Sequence, residues 1–394
     1  MQTATLRRYL RAMRKPKLLS VNHNGQSLTF PANALGGSPK EPKLKPADEL
    51  LLNWAAEQCA DLATEPVSVY HDREGVLCTC VGAQNKRFVS NNYLHHQRLL
   101  ASYERNKTGT APANENLLET PARGTSINLL QIPKSLELFE LYLRNVALRA
   151  TPETKLACAF QTRHFTPRLL EIAAKYAASV TQSRAYKKAR LIMLDDFFAV
   201  TPPEISLIES EFEGIKYQQY PGVFSASHID YATQFLLEEW STNDHLAELS
   251  APTQILDAGC GNGIIGDYLL GRYPEAQLTA YDVSRVATAS ARMNLADHGY
   301  SDRSKVVSAG ALSEISEPKS FSLIVTNPPF HDEFQTDISV STDLFLAACD
   351  RLDPGGHLVV VANRHLNYGT HLRRYFDEVL VVAENEKFEI YRCC

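Results

Sequence analysis

The stretch "DAGCGNGIIG", Asp257–Gly266, decides the fold that the sequence predicts. It follows the strand-like segment Gln254–Leu256 and leads into a helical pattern over Ile264–Tyr273. Its four glycines let the backbone bend tightly and approach a ligand closely, which larger side chains would prevent. A strand, a glycine-rich turn and a helix in this order predict a Rossmann-like unit with a parallel sheet.

The rest of the second half repeats this alternation of strands and helices. The predicted elements are the strand Gln277–Tyr281, the helix Arg285–His298 and the strands Val306–Val307, Ser322–Val325 and His357–Ala362. Asp282 follows the second of the predicted strands, where an acid can bind both hydroxyls of a ribose. A nicotinamide-binding domain follows the same logic, so the glycines and this acid leave the kind of nucleotide cofactor open.

The first half has the same organisation in a weaker form. The predicted elements are an amphipathic run Ala47–Leu62, the strands Val67–Tyr70, Ile127–Ile132 and Leu156–Phe160, a helix Pro167–Val180 and a closing strand Lys187–Leu194. The prolines of "VTPPE", Val200–Glu204, then predict a linker. "FVSNNYLHHQRLLASYERNKTG" resembles "YDVSRVATASARMNLADHG", with Phe88 in the place of Asp282, and "HDREG" replaces the glycine-rich turn. The first half is therefore predicted to be a degenerate copy without the parts that hold a cofactor.

Composition indicates the cellular compartment in which the chain is expected to work. The eight cysteines form neither a CxxC pair nor a regular framework, and no secretory segment opens the sequence. No apolar run approaches the roughly 18 residues of a membrane span, and the mean hydropathy is -0.24. We expect a reducing, cytoplasmic location, no membrane contact and no metal.

Charge is divided unevenly along the chain. Residues 201–394 contain 13 Lys+Arg and 28 Asp+Glu, whereas residues 1–200 contain 27 and 17. Residues 1–45 hold nine basic residues and one acid, Glu41. Such a basic arm attracts polyanions such as nucleic acid, although a solvated tail or an organelle transit peptide has a similar composition.

The tetrapeptide Asn327-Pro328-Pro329-Phe330 narrows the choice of cofactor. Together with "DAGCGNG", it resembles the motifs of class I S-adenosyl-L-methionine-dependent methyltransferases that modify amino groups. An exocyclic amine on a base is a poor nucleophile because its lone pair is delocalised into the ring. The resemblance implies that the Asn327 side-chain oxygen and the Pro328 carbonyl accept its two N–H bonds, that the prolines keep these acceptors rigid, and that Phe330 stacks on the base.

Over most of its length the chain resembles bacterial ribosomal RNA guanine-N2 methyltransferases, in which a degenerate methyltransferase-like domain precedes an active one. The matching pieces are "YKKARLI" (Tyr186–Ile192), "PGVFSASHID" (Pro221–Asp230), "DAGCGNGIIG", "NPPFH" and "VANRHLNY" (Val361–Tyr368). "SLTF", "IPKSLELFE" and "KKARLI" fit the large-subunit enzyme better than its small-subunit relative. The implied fold is α/β, with two tandem Rossmann-like domains.

The resemblance also implies the domain limits and the site residues. The expected divisions are a basic arm at 1–45, an RNA-binding domain at 46–200, a linker at 201–215 and a catalytic domain at 216–394. The expected cofactor contacts are Asp257, Gly259, Gly261, Gly263, Asp282, Gly310, Ala311, Phe224, Ser225, Asp230 and Asn327. Gly310 stands where relatives have a side-chain acceptor near the adenine, so backbone groups of Gly310 and Ala311 are expected there.

Two groups of residues are candidates for contact with RNA. The first is Arg184, Tyr186, Lys187, Lys188 and Arg190, in which cations can bind phosphates while the tyrosine stacks. The second is Asn363, Arg364 and His365, at the end of a predicted strand. The expected partner is 23S rRNA, bound by a monomer. The alternatives are methylation of 16S rRNA or of a glutamine side chain, a non-catalytic RNA-binding assembly factor, and a nicotinamide-dependent oxidoreductase.

Overall fold

Two seven-stranded sheets, one in each half of the chain, organise the computed structural model. The structure describes residues 16–198, 204–225, 228–247, 249, 251–328 and 339–394. The chain divides into a first unit, Met1–Glu204, and a second unit, Ile205–Cys394.

The first unit begins with two small hairpins and continues as an α/β domain. In chain order its elements are β1 (Leu18–His23), β2 (Gln26–Pro31), β3 (Gly36–Ser38), β4 (Glu41–Lys43), α1 (Pro46–Glu57), β5 (Val67–Tyr70), α2 (Val76–Cys80), β6 (Lys86–Val89), α3 (Tyr93–Asn106), β7 (Asn114–Glu115), β8 (Ile127–Gln131), α4 (Leu136–Ala147), β9 (Lys155–Gln161), α5 (Pro167–Ala173), β10 (Ala177–Gln182) and β11 (Ala189–Phe197).

The second unit begins with one hairpin and then follows the same pattern. Its elements are β12 (Ile208–Phe212), β13 (Ile215–Gln219), α6 (Tyr231–Thr242), α7 (Asp244–Ala247), β14 (Gln254–Ala258), α8 (Ile264–Arg272), β15 (Gln277–Asp282), α9 (Arg285–Asp297), β16 (Ser304–Ser308), β17 (Phe321–Thr326), α10 (Ser339–Arg351), β18 (Leu352–Asn363), α11 (Tyr368–Leu372), β19 (Val379–Glu384) and β20 (Phe388–Cys393).

The two large sheets have the same topology. The order β7-β6-β5-β8-β9-β11-β10 in the first unit corresponds, strand by strand, to β16-β15-β14-β17-β18-β20-β19 in the second. In each sheet five parallel strands are extended at one edge by an antiparallel pair. The predicted tandem Rossmann-like architecture is confirmed, and the sheets are mixed rather than purely parallel.

In the second unit, neighbouring residues of β17 face opposite cores. Leu323 and Val325 pack with residues of α6, α8 and α9, whereas Ile324 packs with Phe345 of α10 and Tyr368 of α11. A parallel strand covered on both faces is a continuous apolar run, which explains the sequence Phe321–Val325. The arrangement also brings the carboxyl ends of β14, β15, β17 and β18 to one edge of the sheet, where ligands bind in this class of fold.

Several predicted elements differ from those observed. The expected helix Pro167–Val180 ends at Ala173, because β10 begins at Ala177 and pairs with β11. The expected strand at Lys187–Leu194 begins two residues later and extends to Phe197. Part of the range expected as a linker, 201–215, forms the strand β12.

The segment 1–45, expected as a basic arm, is folded from Leu18 onward. Phe30 is fully buried and packs with the core that includes Val67 and Leu99. The Asn106 side chain accepts the N–H of Thr29 at 2.7 Å and donates to its carbonyl at 3.0 Å, so the hairpin is tied to α3. The alternation of polar and apolar residues in "SLTF" indicates a strand with one buried face. The basic residues around it favoured the interpretation as an exposed arm.

Among the described residues, no helix combines the length and the apolarity that crossing a membrane requires. The same residues contain no group of three or more His, Cys, Asp or Glu side chains arranged to hold a metal ion.

Phe30→Ala is expected to lower the free energy of unfolding of the first unit by about 3–5 kcal/mol, because a large buried ring is removed from a packed core. The chain has two tryptophans, Trp54 in the first unit and Trp240 in the second. Urea denaturation followed by Trp54 fluorescence in a Trp240→Phe background would measure the change.

Leu18→Ala is the matched control, since Leu18 lies in the same hairpin and is 46% exposed. Its effect should stay within about 0.5 kcal/mol. Equal effects of the two substitutions would show that the hairpin does not belong to the core of the first unit.

Candidate active site

The glycine-rich turn joins β14 to α8, as the sequence predicts. Gly259, Gly261 and Gly263 all have positive φ, which favours glycine at each position. A Cβ on Gly259 or Gly261 would meet nothing within 4 Å, whereas one on Gly263 would lie 3.0 Å from Ala291 of α9. The first two glycines therefore border open space, and the third allows two helices to pack closely.

Two carboxyl groups hold this turn from inside. Asp257 is fully buried, and its Oδ2 accepts the N–H of Gly266 at 3.0 Å. Asp282 accepts two N–H groups, from Ser284 at 2.8 Å and from Gly261 at 3.0 Å. The Oδ1 of Asp257 is buried and has no hydrogen-bond partner among the described residues. Both acids thus shape the turn by themselves, before any ligand is considered.

Burial shifts the pKa of both acids upward. It raises the pKa of Asp257 to about 7, against the effect of the Gly266 N–H, which lowers it. Burial also raises the pKa of Asp282, although backbone N–H groups of Ser284 and Gly261 oppose the shift.

Asn327 follows β17 at the same edge of the sheet, and its amide has a defined orientation. Its Nδ2 donates to Oδ2 of Asp230 at 2.8 Å and to Oγ1 of Thr233 at 3.1 Å. Both N–H bonds are thereby used. Its Oδ1 is buried and has no partner among the described residues, so an acceptor remains available. Pro328 is buried beside it, and Pro329 and Phe330 lie outside the described residues.

Asp230 holds its position through the start of α6. As the N-cap residue, its Oδ2 accepts the N–H groups of Ala232 and Thr233 at 3.0 and 3.2 Å. A carboxylate at an N-cap is a common way to satisfy free N–H groups. Asp230, expected at the cofactor, therefore contacts the side chain of Asn327. Thr233 was not predicted, although an acid three residues before it marks a helix start.

A chain of amides joins the glycine-rich turn to the segment before α6. Asn262 donates to Oε1 of Gln219 at 3.0 Å, and Gln219 donates to the carbonyl of Ser225 at 3.3 Å. Ser225 has φ 58°, and Phe224 next to it is exposed. The expected residues Phe224 and Ser225 thus lie near the turn, while Asn262 and Gln219 were missed because no local pattern links them.

The backbone expected at the adenine is partly engaged. The N–H of Gly310 donates to the carboxylate of Glu314 at 3.1 Å, and the Ala311 carbonyl accepts the N–H of Glu314. These groups follow β16 at the edge that also carries Asp282.

The basic group of the first unit lies around the turn between β10 and β11. Tyr186 and Ala189 pair with each other, which leaves Lys187 and Lys188 as the two residues of the turn. Their φ angles are 44° and 68°, a conformation that usually requires Asn and Gly. Both lysines are exposed, and Nζ of Lys187 lies 3.5 Å from Glu49. Because they occupy a turn and not a strand, both can face the same side.

The two other cations of this group differ in their surroundings. Arg184 is exposed in the same connection, whereas Arg190 lies in β11 and donates to Gln182 at 3.4 Å.

The second group expected at RNA follows β18. Asn363 ends that strand, and Arg364 and His365 are exposed just beyond it. Arg364 donates to the carbonyl of Asn385 at 2.9 Å and ion-pairs with Glu384 at 3.5 Å. Its guanidinium therefore binds the turn between β19 and β20.

The first unit contains the same turn in an altered form. The N–H of His71 donates to the carbonyl of Val89 at 3.0 Å, as Gly259 does to the equivalent strand of the second unit. From this register, His71 and Arg73 occupy the places of Gly259 and Gly261, and Gly75 keeps the positive φ of Gly263. His71 is buried, and Nδ1 lies 3.1 Å from the hydroxyl of Tyr142. The first unit therefore has larger side chains at the two positions where the second unit has glycines that border open space.

The register also corrects the expected alignment of the two copies. Val89 corresponds to Tyr281, so Ser90 and not Phe88 corresponds to Asp282. The Oγ of Ser90 accepts the N–H of Asn92 at 3.3 Å, as Asp282 accepts that of Ser284. The shared "VS" dipeptide misled the sequence alignment by two residues.

The counterpart of Asn327 in the first unit is Gln131, which follows from the same register. Its Nε2 donates to Oδ1 of Asp48 at 2.5 Å, and its Oε1 accepts the N–H of Arg73 at 3.1 Å. In both units, a side-chain amide at the end of a strand is hydrogen-bonded to a residue at the start of a helix. The acceptor oxygen, however, is used inside the first unit, whereas in the second unit it has no partner among the residues that the structure describes.

The chain matches two family models, one for each unit. Residues 40–200 match the RLMG N-terminal domain, and residues 214–392 match the methyltransferase small domain.

Three comparisons with whole proteins cover both units. Proteins named ribosomal RNA large subunit methyltransferase G from Psychromonas ingrahamii and from Streptomyces griseus are each 31% identical, over 88% of this chain and 91% of theirs. The solved structure of a T. thermophilus 16S rRNA N2 methyltransferase in complex with AdoMet and guanosine has a TM-score of 0.73 at 20% identity, over 96% of this chain and 97% of that one. That likeness shows that the tandem fold is shared.

Asp72 of the first unit gives a testable pH dependence. It is fully buried, its Oδ2 accepts the N–H of Cys78 at 2.9 Å, and burial raises its pKa from 3.8 to about 7. The folded state therefore keeps a proton that the unfolded state releases between about pH 4 and 7, so stability falls as the pH rises through this window. Asp72→Asn is expected to flatten that dependence by about 1.4 kcal/mol per pH unit.

Urea denaturation followed by Trp54 fluorescence at pH 5, 6, 7 and 8 would measure the effect. Asp61→Asn, at an exposed acid of the same unit, should retain the wild-type slope. If Asp72→Asn also retains it, Asp72 is not the titrating group.

Proposed function

The chain belongs to the ribosomal RNA large subunit methyltransferase G family, and we propose that it methylates the exocyclic N2 amine of a guanosine in 23S rRNA with S-adenosyl-L-methionine. The second unit is the catalytic one, and the first unit holds the RNA.

The observation that carries this proposal is the open acceptor of Asn327. Asp230 and Thr233 take both N–H bonds of its amide, and no described residue pairs with its buried Oδ1, which can accept a bond from a ligand. A buried acceptor without a partner is costly in a folded protein. An amine that donates to it removes this cost and is oriented at the same time.

The residues around the glycine-rich turn fit a nucleotide-like cofactor. The open space beside Gly259 and Gly261 admits a ligand against the backbone, and Asp282 lies at the strand end where an acid reaches a ribose. When bound, the cofactor supplies an electrophilic methyl group on a sulfonium. We assign the contacts to Asp257, Gly259, Gly261, Gly263 and Asp282, with Gly310, Ala311, Phe224 and Ser225 at the edge of the same site.

The chain's own contribution to the chemistry is to orient the amine. The Oδ1 of Asn327 and the carbonyl of Pro328 accept its two N–H bonds, which draws the lone pair out of conjugation with the ring and directs it at the donor. Proline fixes the backbone at 328, so the two acceptors keep their spacing. We assign the stacking contact with the guanine to Phe330, which follows Pro329 in the sequence. The proton is released to water after transfer.

The charge distribution supports the assignment of RNA binding to the first unit and of catalysis to the second. The second unit is strongly acidic, so it cannot gather phosphates, whereas the first unit is basic. Phosphate contacts supply most of the sequence-independent affinity for nucleic acid. We assign these contacts to Arg184, Lys187, Lys188 and Arg190, with Tyr186 as a stacking ring and with Asn363, Arg364 and His365 near the target. An rRNA substrate implies a cytoplasmic location, and a monomer stays the expectation.

Incubation with radiolabelled S-adenosyl-L-methionine and unmodified 23S rRNA should give label that comigrates with N2-methylguanosine after digestion. Asn327→Ala is expected to lower kcat by at least about 100-fold, because a positioned acceptor is lost. Calorimetry should show a cofactor Kd within about twofold of wild type, since the glycine-rich turn is unchanged.

Gln131→Ala, at the corresponding place of the first unit, is the matched control and should keep kcat. Parallel incubations with 16S rRNA and with assembled subunits decide the substrate. Label in 16S rRNA alone would support the small-subunit alternative, and full turnover by Asn327→Ala would mean that the catalytic site lies elsewhere.

Lys187→Gln together with Lys188→Gln is expected to weaken binding of 23S rRNA and to make its salt dependence shallower. Each lost phosphate contact should reduce the slope of log K against log salt by about 1. Filter binding between 50 and 300 mM KCl would measure the slope.

Lys305→Gln together with Lys319→Gln changes the net charge equally at two exposed positions of the second unit. This control should leave the slope unchanged. If both pairs lower affinity alike, only the total charge matters and the turn has no specific role.

A further inference from the structure

Two aromatic side chains in the segment that leads into α6 are unusually exposed. Phe224 is 65% and Tyr231 61% exposed, the highest values for any large hydrophobic side chain that the structure describes. His228, also exposed, lies between them in sequence, and its ring centroid is 4.7 Å from that of Tyr231 at an angle of 40°. Three flat rings are thus presented to solvent within eight residues.

One of these rings follows directly on the residue that holds the proposed acceptor. Tyr231 begins α6 directly after Asp230, whose Oδ2 is 2.8 Å from Nδ2 of Asn327. The Oγ of Ser225 donates to the carbonyl of His228 at 2.6 Å. A ligand whose amine reaches Asn327 therefore extends past this segment or close to it.

The fold does not require aromatic residues here. The interior of α6 is formed by other side chains, such as Leu236, Leu237 and Trp240, which are fully buried. The first residue of a helix accepts most residue types, and an exposed ring there contributes no core. Exposed apolar groups that cluster next to a site commonly mark a contact surface.

We propose that His228 and Tyr231 form an aromatic platform that stacks with nucleobases flanking the target nucleotide, next to Phe224 at the edge of the cofactor site. The proposal rests on the function assigned above and names how RNA is held at the catalytic unit. Because that unit is strongly acidic, its net charge opposes RNA binding, and uncharged contacts add affinity that does not depend on that charge. Stacking on aromatic rings is such a contact, and it tolerates any base because every base has a π face.

The first test measures binding without catalysis. Fluorescence anisotropy with a labelled single-stranded RNA dodecamer at 0.3 M KCl weakens phosphate contacts and leaves stacking. Tyr231→Ala should raise Kd on the order of tenfold, and Tyr231→Phe should retain the wild-type value because the ring remains. Val381→Ala, at a 45% exposed side chain of β19 in the same unit, serves as the control.

An abasic RNA of the same length decides whether stacking is responsible. It should bind wild type and Tyr231→Ala equally, since it offers phosphates but no bases. Equal binding of the normal dodecamer by both proteins would overturn the platform. An equal loss on the abasic RNA would overturn it as well, because the ring would then act through the backbone.

Methyl transfer provides the second test. With 23S rRNA as substrate, Tyr231→Ala should raise the KM for RNA about tenfold and keep kcat at saturation. Phe224→Ala is expected to weaken the cofactor Kd and to leave the KM for RNA unchanged, since Phe224 is assigned to the edge of the cofactor site. Failure of the wild type to methylate any rRNA would overturn the proposed function, whereas the dodecamer experiment judges the platform independently.

Discussion

An amide at the end of β17 is useful to an amine in only one of its two orientations. Turned one way, Asn327 offers an acceptor; turned the other way, it offers a donor and repels the N–H bonds of a substrate. Asp230 and Thr233 decide between the two, since both accept from Nδ2. This small constraint couples the start of α6 to the sheet edge, and α6 in turn is fixed by its buried face against β18 and β20.

The two units show how one scaffold serves two purposes. Both keep the sheet order, the positive-φ glycine before the first helix of the sheet and the tie from an amide to a helix start. They differ in what faces the edge. The second unit has open backbone and an acceptor that no described residue pairs with, and the first has His71, Arg73 and a satisfied Gln131. In the first unit, the groups that correspond to the cofactor site bind one another. The surface of that unit is then available for another partner.

The sequence predicted the strand, turn and helix at Asp257–Gly266 because glycine spacing and an acid are local signals. It also predicted the tandem architecture, since alternating elements recur in both halves. It did not predict the hairpin that buries Phe30, because charged neighbours masked its alternation. Nor did it predict the contacts of Thr233, Gln219 and Asn262, which join segments far apart in the chain; only the fold brings them together.

The turn at Lys187 and Lys188 affects which substitutions would stabilise this protein. An L-residue other than Gly, Asn or Asp at positive φ costs about 1–2 kcal/mol, and both lysines have that conformation. For folding alone, substitution of these two lysines by Asn and Gly is expected to stabilise the protein. Lysine at both places therefore forgoes that stability and keeps two exposed positive charges in the turn.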